Sequence, residues 1–470
     1  MRNTILFAAL LPLIAHAQIT FERTYGGAGT DMGFSVKQTS DGGYILAGGT
    51  WSFGAGSADM YLVKVDAIGN EEWSKTFGSA LFEYAYSVQQ TADGGYVLCG
   101  GWSGLGTDTL TLVRTNASGD PQWIHHYPIS VPRSLGLSVL ETSDGGFVAC
   151  GFTGFQSDED MVVLKTDAQG LVQWTRTLDL GRSEAGYSVR QTADNGFVVL
   201  GLSFITYGVD GDLLLVRMDQ TGDTLWTNRY QTAENEEGHG LSANSDGGFT
   251  ITARKGAVPS DLFLMRTTSS GDTLWTRKFG TPLGNDEGLD VAQTQDGDFV
   301  VTGSYQATTS APTGMYLLRT DGTGALLWER HVFRNLTAIS QSLDLTSDGG
   351  CVMLGYTGDT LGGNLNIDMF LVKTDGAGYS AIPEVTRSSD RIDLFPNPAN
   401  DATHIEIRTS ETGPLLIIVT DASGRVVVQE QVAKDTVRTI DCFGLDNGVY
   451  SVSLQNDQAV IAARLLVVSH

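Results

Sequence analysis

The chain has 470 residues, 41% of them hydrophobic and 18% charged, with 58 glycines and a formal net charge of −25. That composition excludes a disordered chain and fits a turn-rich globular one with room for more than one domain. The excess of negative charge repels phosphate backbones and anionic lipid, so neither nucleic acid nor a membrane surface is expected as a partner.

The N-terminus carries Arg2, an apolar run from Ile5 to Ala15 and the small-x-small triplet Ala15-His16-Ala17. These are the parts of a signal peptide over residues 1–17, cleaved between Ala17 and Gln18. The run is too short to span a bilayer, and no later stretch reaches about 18 apolar residues, so no membrane insertion is expected.

From residue 18 to 379 the chain repeats itself. An Asp-Gly-Gly-aromatic turn recurs at Asp41, Asp93, Asp144, Asp194, Asp246, Asp296 and Asp348, at spacings of 52, 51, 50, 52, 50 and 52 residues. A tryptophan column accompanies it at Trp73, Trp123, Trp174, Trp226, Trp275 and Trp328. An apolar segment ending in a base, such as Asp212-Leu-Leu-Leu-Val-Arg217, lies between. Each unit thus offers four short strands; in the first full one they are expected at Trp73–Phe77, Tyr86–Thr91, Gly95–Gly100 and Thr109–Arg114. The segment Tyr44-Ile45-Leu46-Ala47 is apolar on both alternating faces and must be covered on both sides. Blades stacked round an axis provide that cover, so the expected fold is all-β, a seven-bladed propeller of four-stranded blades. The last unit lacks its tryptophan strand, and the first is preceded by a spare one, Phe21-Glu22-Arg23-Thr24-Tyr25-Gly26, which is expected to complete the seventh blade. Glycine-ending second strands such as Leu98-Cys99-Gly100-Gly101, followed by an Asp-Gly turn and then tryptophan, make the units resemble kelch-type propeller repeats.

Residues 380–389 read as a linker, and 390–470 as a further domain. The latter contains Leu394-Phe395-Pro396-Asn397-Pro398-Ala399, an alternating strand over Thr403–Ile407, Val419-Thr420-Asp421-Ala422-Ser423-Gly424-Arg425 and Leu445-Asp446-Asn447-Gly448-Val449-Tyr450. In that order these motifs resemble the C-terminal sorting domain of the Bacteroidetes type IX secretion system, type A. The resemblance implies the type IX secretion machinery as a partner, passage through the outer membrane, and a secreted or cell-surface product. Physically the segment reads as a small Ig-like β-sandwich.

Candidate chemistry is sparse. Cys99 and Cys150 occupy equivalent positions in neighbouring units, roughly a sheet-packing distance of ~10 Å apart, too far for a disulfide, and all four cysteines are expected as buried thiols. No histidine pair has zinc spacing, and no acid/base constellation is unique to one repeat. The Asp-Gly-Gly and Asp-x-x-Gly turns share one face of the propeller and are uniform. The opposite face bears loops that differ between units, including Thr50-Trp51-Ser52-Phe53-Gly54 and Phe204-Ile205-Thr206-Tyr207. Trp51, Trp102 and Tyr207 there are candidate ligand-binding aromatics. Asp31, Glu83, Glu184, Glu237 and Asp286, on the same face, either stand solvated or share a cation such as calcium; no other cofactor is expected. The leading function is non-enzymatic recognition of an extracellular glycan, polymer or protein. The alternatives are a polysaccharide hydrolase or lyase on a propeller scaffold, and a structural surface protein.

Overall fold

The computed structural model describes residues 19–102, 108–129, 133–155, 158–206, 209–232, 234–334, 337–361, 364–380, 391–395, 399–408, 415–421, 425–433, 436–455 and 460–468. The expected signal peptide with its Ala17–Gln18 cleavage point, nearly all of the linker, Tyr207 and the Pro396-Asn397-Pro398 motif lie outside these residues. The chain divides into two compact units, Thr20–Gly378 and one containing Tyr379–His470. Among the described residues no helix is long and apolar enough to cross a membrane.

In the first unit, seven four-stranded antiparallel sheets follow one another as blades. Blade 1 runs Asp31–Gln38, Tyr44–Thr50, Asp59–Val65 and Glu71–Phe77, and blades 2 to 6 repeat that order. The expected strand at Tyr86 in fact begins three residues earlier, as Glu83–Gln90. Its first residue is polar, yet Glu83 is buried and paired, so a polar start did not mark a loop. Blade 7 takes Thr337–Leu345, Cys351–Leu361 and Asn364–Thr374 from the end of the repeat region and Phe21–Tyr25 from its beginning. The spare N-terminal strand therefore closes the ring, pairing Phe21 with Lys373 and Tyr25 with Met369.

The first strands of neighbouring blades pack on one another all the way round, Asp31–Gln38 against Thr337–Leu345 included, so they line the central axis. The core lies between blades rather than within one. Ile45, Ala47 and Leu62 of blade 1, for instance, meet Ala85, Val88 and Leu98 of blade 2. Each blade is clamped on both faces, which is why its middle strands are buried at every position. The tryptophan column sits on the outermost strands and reaches across the same junction. Trp73 lies 5.8 Å from the Tyr96 ring, and Trp174 the same distance from Phe197. At the closure, Phe21 takes the tryptophan's place against Tyr44, at 6.0 Å.

The C-terminal unit holds a three-stranded sheet (Arg391–Phe395, Ala402–Arg408, Val437–Asp441) and a four-stranded one (Val426–Val432, Leu415–Thr420, Gly448–Gln455, Val460–Val468). Ile392, Ile405 and Ile407 from the first share one apolar core with Ile417, Val419, Val452 and Leu466 from the second, the arrangement of a sandwich. All four cysteines are free and buried.

Candidate functional site

Two places on the propeller differ from blade to blade and are therefore not dictated by the repeat: the loop face and the central channel.

On the loop face, the connection after the second strand and the link to the next blade lie side by side. In blades 1 and 2 the amides of Ser57 and Ala58 both donate to the Leu81 carbonyl at 3.1 Å. This pairing holds Trp51, Phe53, Leu81 and Phe82 outward, with Trp51 36% and Phe53 45% exposed. Trp51 leans on Tyr84 at 5.4 Å, and Phe53 on Tyr61 at 5.6 Å. Trp102 is only half-exposed; it packs against the core between blades 1 and 2 and meets the His126 ring at 4.9 Å, tilted by 58°. Trp102 ends its strand at the place of Thr50, Trp51 lies one residue beyond, and of the two only Trp51 presents an open ring.

The five sequence-selected acids have a different setting from a solvated rim. Asp31, Glu83, Glu184 and Asp286 are fully buried at the starts of innermost strands. Each accepts an amide hydrogen bond from the link that precedes it: Gly27 to Asp31 at 2.7 Å, Ser79 to Glu83 at 2.8 Å, Leu180 to Glu184 at 3.1 Å and Thr281 to Asp286 at 2.6 Å. They tie down the turn between blades. In blade 5 the equivalent residue is Glu236, which is buried and bound to Lys255 and Thr232. Glu237 is one place further on and pairs with Arg254 at 2.8 Å. Ten residues separate each of the other four acids from its turn aspartate, and counting ten back from Asp246 gives Glu236, so Glu237 was one place out of register.

A second carboxylate from the third strand stands near several of these acids, as Asp368 does to Asp31 and Asp261 to Asp286. Burial, then the neighbouring negative charge, pushes Asp368 above the usual carboxylate range; burial leads in raising Asp286 and Glu184 as well. At Glu184 the cluster gains a third member, with oxygens of Asp160, Asp179 and Glu184 all within 4.8 Å of one another. These three could contribute ligands to a hard cation, which takes about 6–8 oxygens. The Arg229 guanidinium, 3.5 Å from Glu184, already supplies positive charge there.

The central channel was not anticipated. Every innermost strand carries a β-bulge at the same point, for example between Gly33 and Ser35 and between Gly186 and Ser188. A bulge leaves one residue out of the ladder and re-aims its side chain. The seven residues so released are Phe34, Tyr86, Leu137, Tyr187, His239, Leu289 and Gln341, and all seven line one cavity of about 520 Å³. The residue after each bulge is serine in five blades, and four of these hydroxyls accept an amide of a neighbouring blade, as Ser35 does from Val88 at 3.1 Å and Ser138 from Val189 at 3.3 Å. Ser342 and the Val36 amide, at 3.4 Å, repeat this contact across the closure. The ring could have been found in the sequence as the one unlike column among alike ones, once the repeats were aligned on the buried acid.

Among curated proteins none matches the chain. Solved structures resemble it weakly. Puromycin hydrolase has a TM-score of 0.45 and 15% identity over 83% of this chain and 63% of its own, so the chain spans less than two thirds of that enzyme. BBS1N, solved in complex with ARL6DN, scores 0.44 at 10% identity, covering 76% of this chain and 97% of that one. Sqt1 of Chaetomium thermophilum scores 0.43 at 9%, covering 77% and 99%. The C-terminal segment is where a family is recognised: residues 393–468 are a secretion system C-terminal sorting domain, and the propeller ahead of it carries that export tail.

Proposed function

We propose that the propeller is a non-enzymatic recognition module, exported to the cell exterior, which binds a glycan, polymer or protein through its loop face. The observation that carries this reading is the exposure of Trp51, Phe53, Leu81 and Phe82 together on one end of blades 1 and 2. Aromatic rings held open on a rigid scaffold suit the apolar faces of sugar rings or of a protein partner. The opposite end supports it by contrast, since its turns repeat one hydrogen-bonded pattern, with Thr39, Thr91, Thr192 and Thr346 each donating to the turn aspartate two residues on.

The test is a screen of the purified chain against glycans and polysaccharides, scoring both binding and cleavage. Binding without product release is expected, and Trp51→Ala with Tyr207→Ala should weaken it at least about tenfold while the melting temperature holds, whereas Trp102→Ala, which also removes packing between blades, should lower the melting temperature too. Release of oligosaccharides would instead establish the hydrolase or lyase alternative. Loss of binding only on altering the Asp-Gly-Gly turns would place recognition on the other end.

A further inference from the structure

We propose that the central channel is a second binding site, and that it takes a small ring-bearing carboxylate held by Arg190 and stacked on the bulge residues.

The argument starts from what the bulges do. A repeat needs the bulge for blade-to-blade bonding, but it does not need any particular side chain on the residue released. Here the released residues are unlike one another, and their aromatic members are grouped. The Phe34 and Tyr86 rings lie 5.2 Å apart, and Tyr187 meets His239 edge-on at 5.2 Å. Tyr86 also continues outward through Tyr84, at 6.1 Å. The rings are only part-buried, so they face the cavity rather than fill it. A volume of about 520 Å³ falls within the size of small-molecule sites, roughly 300–1,000 Å³.

Charge inside the channel points to the ligand's sign. Lys37 is engaged by Asp344 at 3.5 Å and the Leu343 carbonyl at 3.4 Å. Asp290 accepts the Leu343 amide at 3.0 Å and the Ser342 hydroxyl at 3.3 Å. Glu141 accepts the Ala92 amide at 2.7 Å. Arg190 differs: its guanidinium donates only to the Val189 carbonyl, at 2.9 Å, and meets no carboxylate among the described residues. In a chain of net charge −25, a guanidinium left without a carboxylate inside a cavity is a recognition element waiting for an anion. Its planar fork matches a carboxylate. The other polar groups do not compete for that role: burial pushes His239 down, against the pull of Glu287 and Glu237, and holds the Tyr86 phenol up at about 12, so both are neutral at pH 7. An anion on the fork with a flat face against Tyr187 and Tyr86 describes a uronate sugar or an aromatic acid. Both share the chemistry of a ring carrying one carboxylate.

Titration calorimetry of the purified full chain with D-galacturonate and with benzoate tests the site, with D-galactose as the neutral control. Saturable binding of at least one acid and none of D-galactose is expected; which acid binds distinguishes sugar from aromatic origin. Arg190→Gln should weaken that binding at least about tenfold, and Arg190→Lys, which keeps charge and stem but loses the fork, should weaken it as well. Should the glutamine variant fail to fold, the lysine variant decides. Trp51→Ala should leave the affinity unchanged, which separates this site from the loop face. Failure of both acids to bind, equal binding of D-galactose, or wild-type affinity in a folded Arg190 variant would overturn the proposal.

Discussion

The Asp-Gly-Gly turn exists to hold a buried base. In every blade its aspartate meets the lysine or arginine that ends the third strand: Lys64 and Asp41 at 2.9 Å, Lys165 and Asp144 at 3.0 Å, Lys373 and Asp348 at 2.9 Å, and four arginines likewise. The first glycine takes a positive φ, +86° at Gly42, and Asn195 alone replaces it among the described turns, at 63°. The second glycine admits the base, since a Cβ on Gly43 would lie 2.3 Å from the Val65 carbonyl and 2.6 Å from the Lys64 ammonium. Blade 6 shows the exception that explains the rule. It has Asp298 at that place, and its Arg319 is more open, 19% exposed against 1% for Lys373. Arg319 keeps a second carboxylate, Asp298 at 2.9 Å. Asp348→Asn should therefore cost about 3 kcal/mol by leaving a buried ammonium without its counter-charge, whereas Asp296→Asn should cost under about 1 kcal/mol. Urea unfolding of the two variants checks this, and equal losses would count against the clasp. At this scale the sequence showed the turn and the base as separate repeating features but not their pairing, because 20 to 25 residues separate the partners. The buried acids misled for a related reason: charge near a strand start reads as solvated unless the amide that binds it is known.

At the scale of elements, closure is the decisive event. Phe21–Tyr25 covers the edge of Asn364–Thr374, and Tyr25 donates its hydroxyl to the Gly69 carbonyl at 2.7 Å, as Tyr127 and Tyr230 do to Gly170 and Gly271. The first blade's Gln38 accepts the Ser347 amide at 2.8 Å, the same clasp that Gln90 offers Ser40 and Gln191 offers Ser143. The closing junction thus uses the standard contacts, and nothing marks it as weaker than the others. Deleting 19–26 would bare a strand edge and remove Phe21 from the aromatic column, so the melting temperature should fall markedly. Phe21→Ala alone should cost about 3 kcal/mol, a typical loss for a buried ring. An unchanged melt in the deletion variant would mean that the ring does not depend on this strand. The strand was legible because its Thr24-Tyr25-Gly26 ending matches Thr76-Phe77-Gly78 of the first blade's outer strand, and because one unit lacked an outer strand. That Phe21 stands in for tryptophan emerges only from the ring it touches. The bulges were illegible for a physical reason: the sequence alternation of Met32, Phe34 and Val36 runs straight through the extra residue, although the structure turns Phe34 to the channel and Val36 to the core.

For the whole molecule, export and stability are separable questions, and each has its own test. Export rests on the sorting domain. A chain truncated after Ser389 should remain in the periplasm of a host with the matching secretion machinery, and its appearance in the medium would show that 393–468 is dispensable. Stability rests on two opposed sets of carboxylates. In the turns, burial raises the Asp41 carboxyl, but hydrogen bonds from Thr39, Lys64 and Gly43 outweigh it and bring it to about 2. A depressed group stabilises the fold above its unfolded value, and that contribution is lost as pH falls through the folded one. On the loop face the sign reverses. Asp160, Glu184, Asp286 and Asp368 are raised, burial first in each case, with Asp179 adding to Asp160 and Asp31 to Asp368. Raised acids bind protons more readily folded than unfolded, so their contribution is full below the ordinary carboxyl range of about 4 and is lost as pH rises through their folded values. Acidifying from neutral should then raise the melting temperature down to about pH 4, as these groups take up protons, before the turn aspartates protonate and lower it further down. Relief of the general repulsion from a net charge of −25 acts in the same direction, but salt screens it, whereas buried pairs are screened far less. Calorimetry in about 0.5 M salt should keep most of the rise, and Asp160→Asn with Asp368→Asn should flatten it. A melting temperature that stays level or drops all the way from about pH 7.5 to about 4 would show that the carboxylates between blades impose no strain on the closed ring.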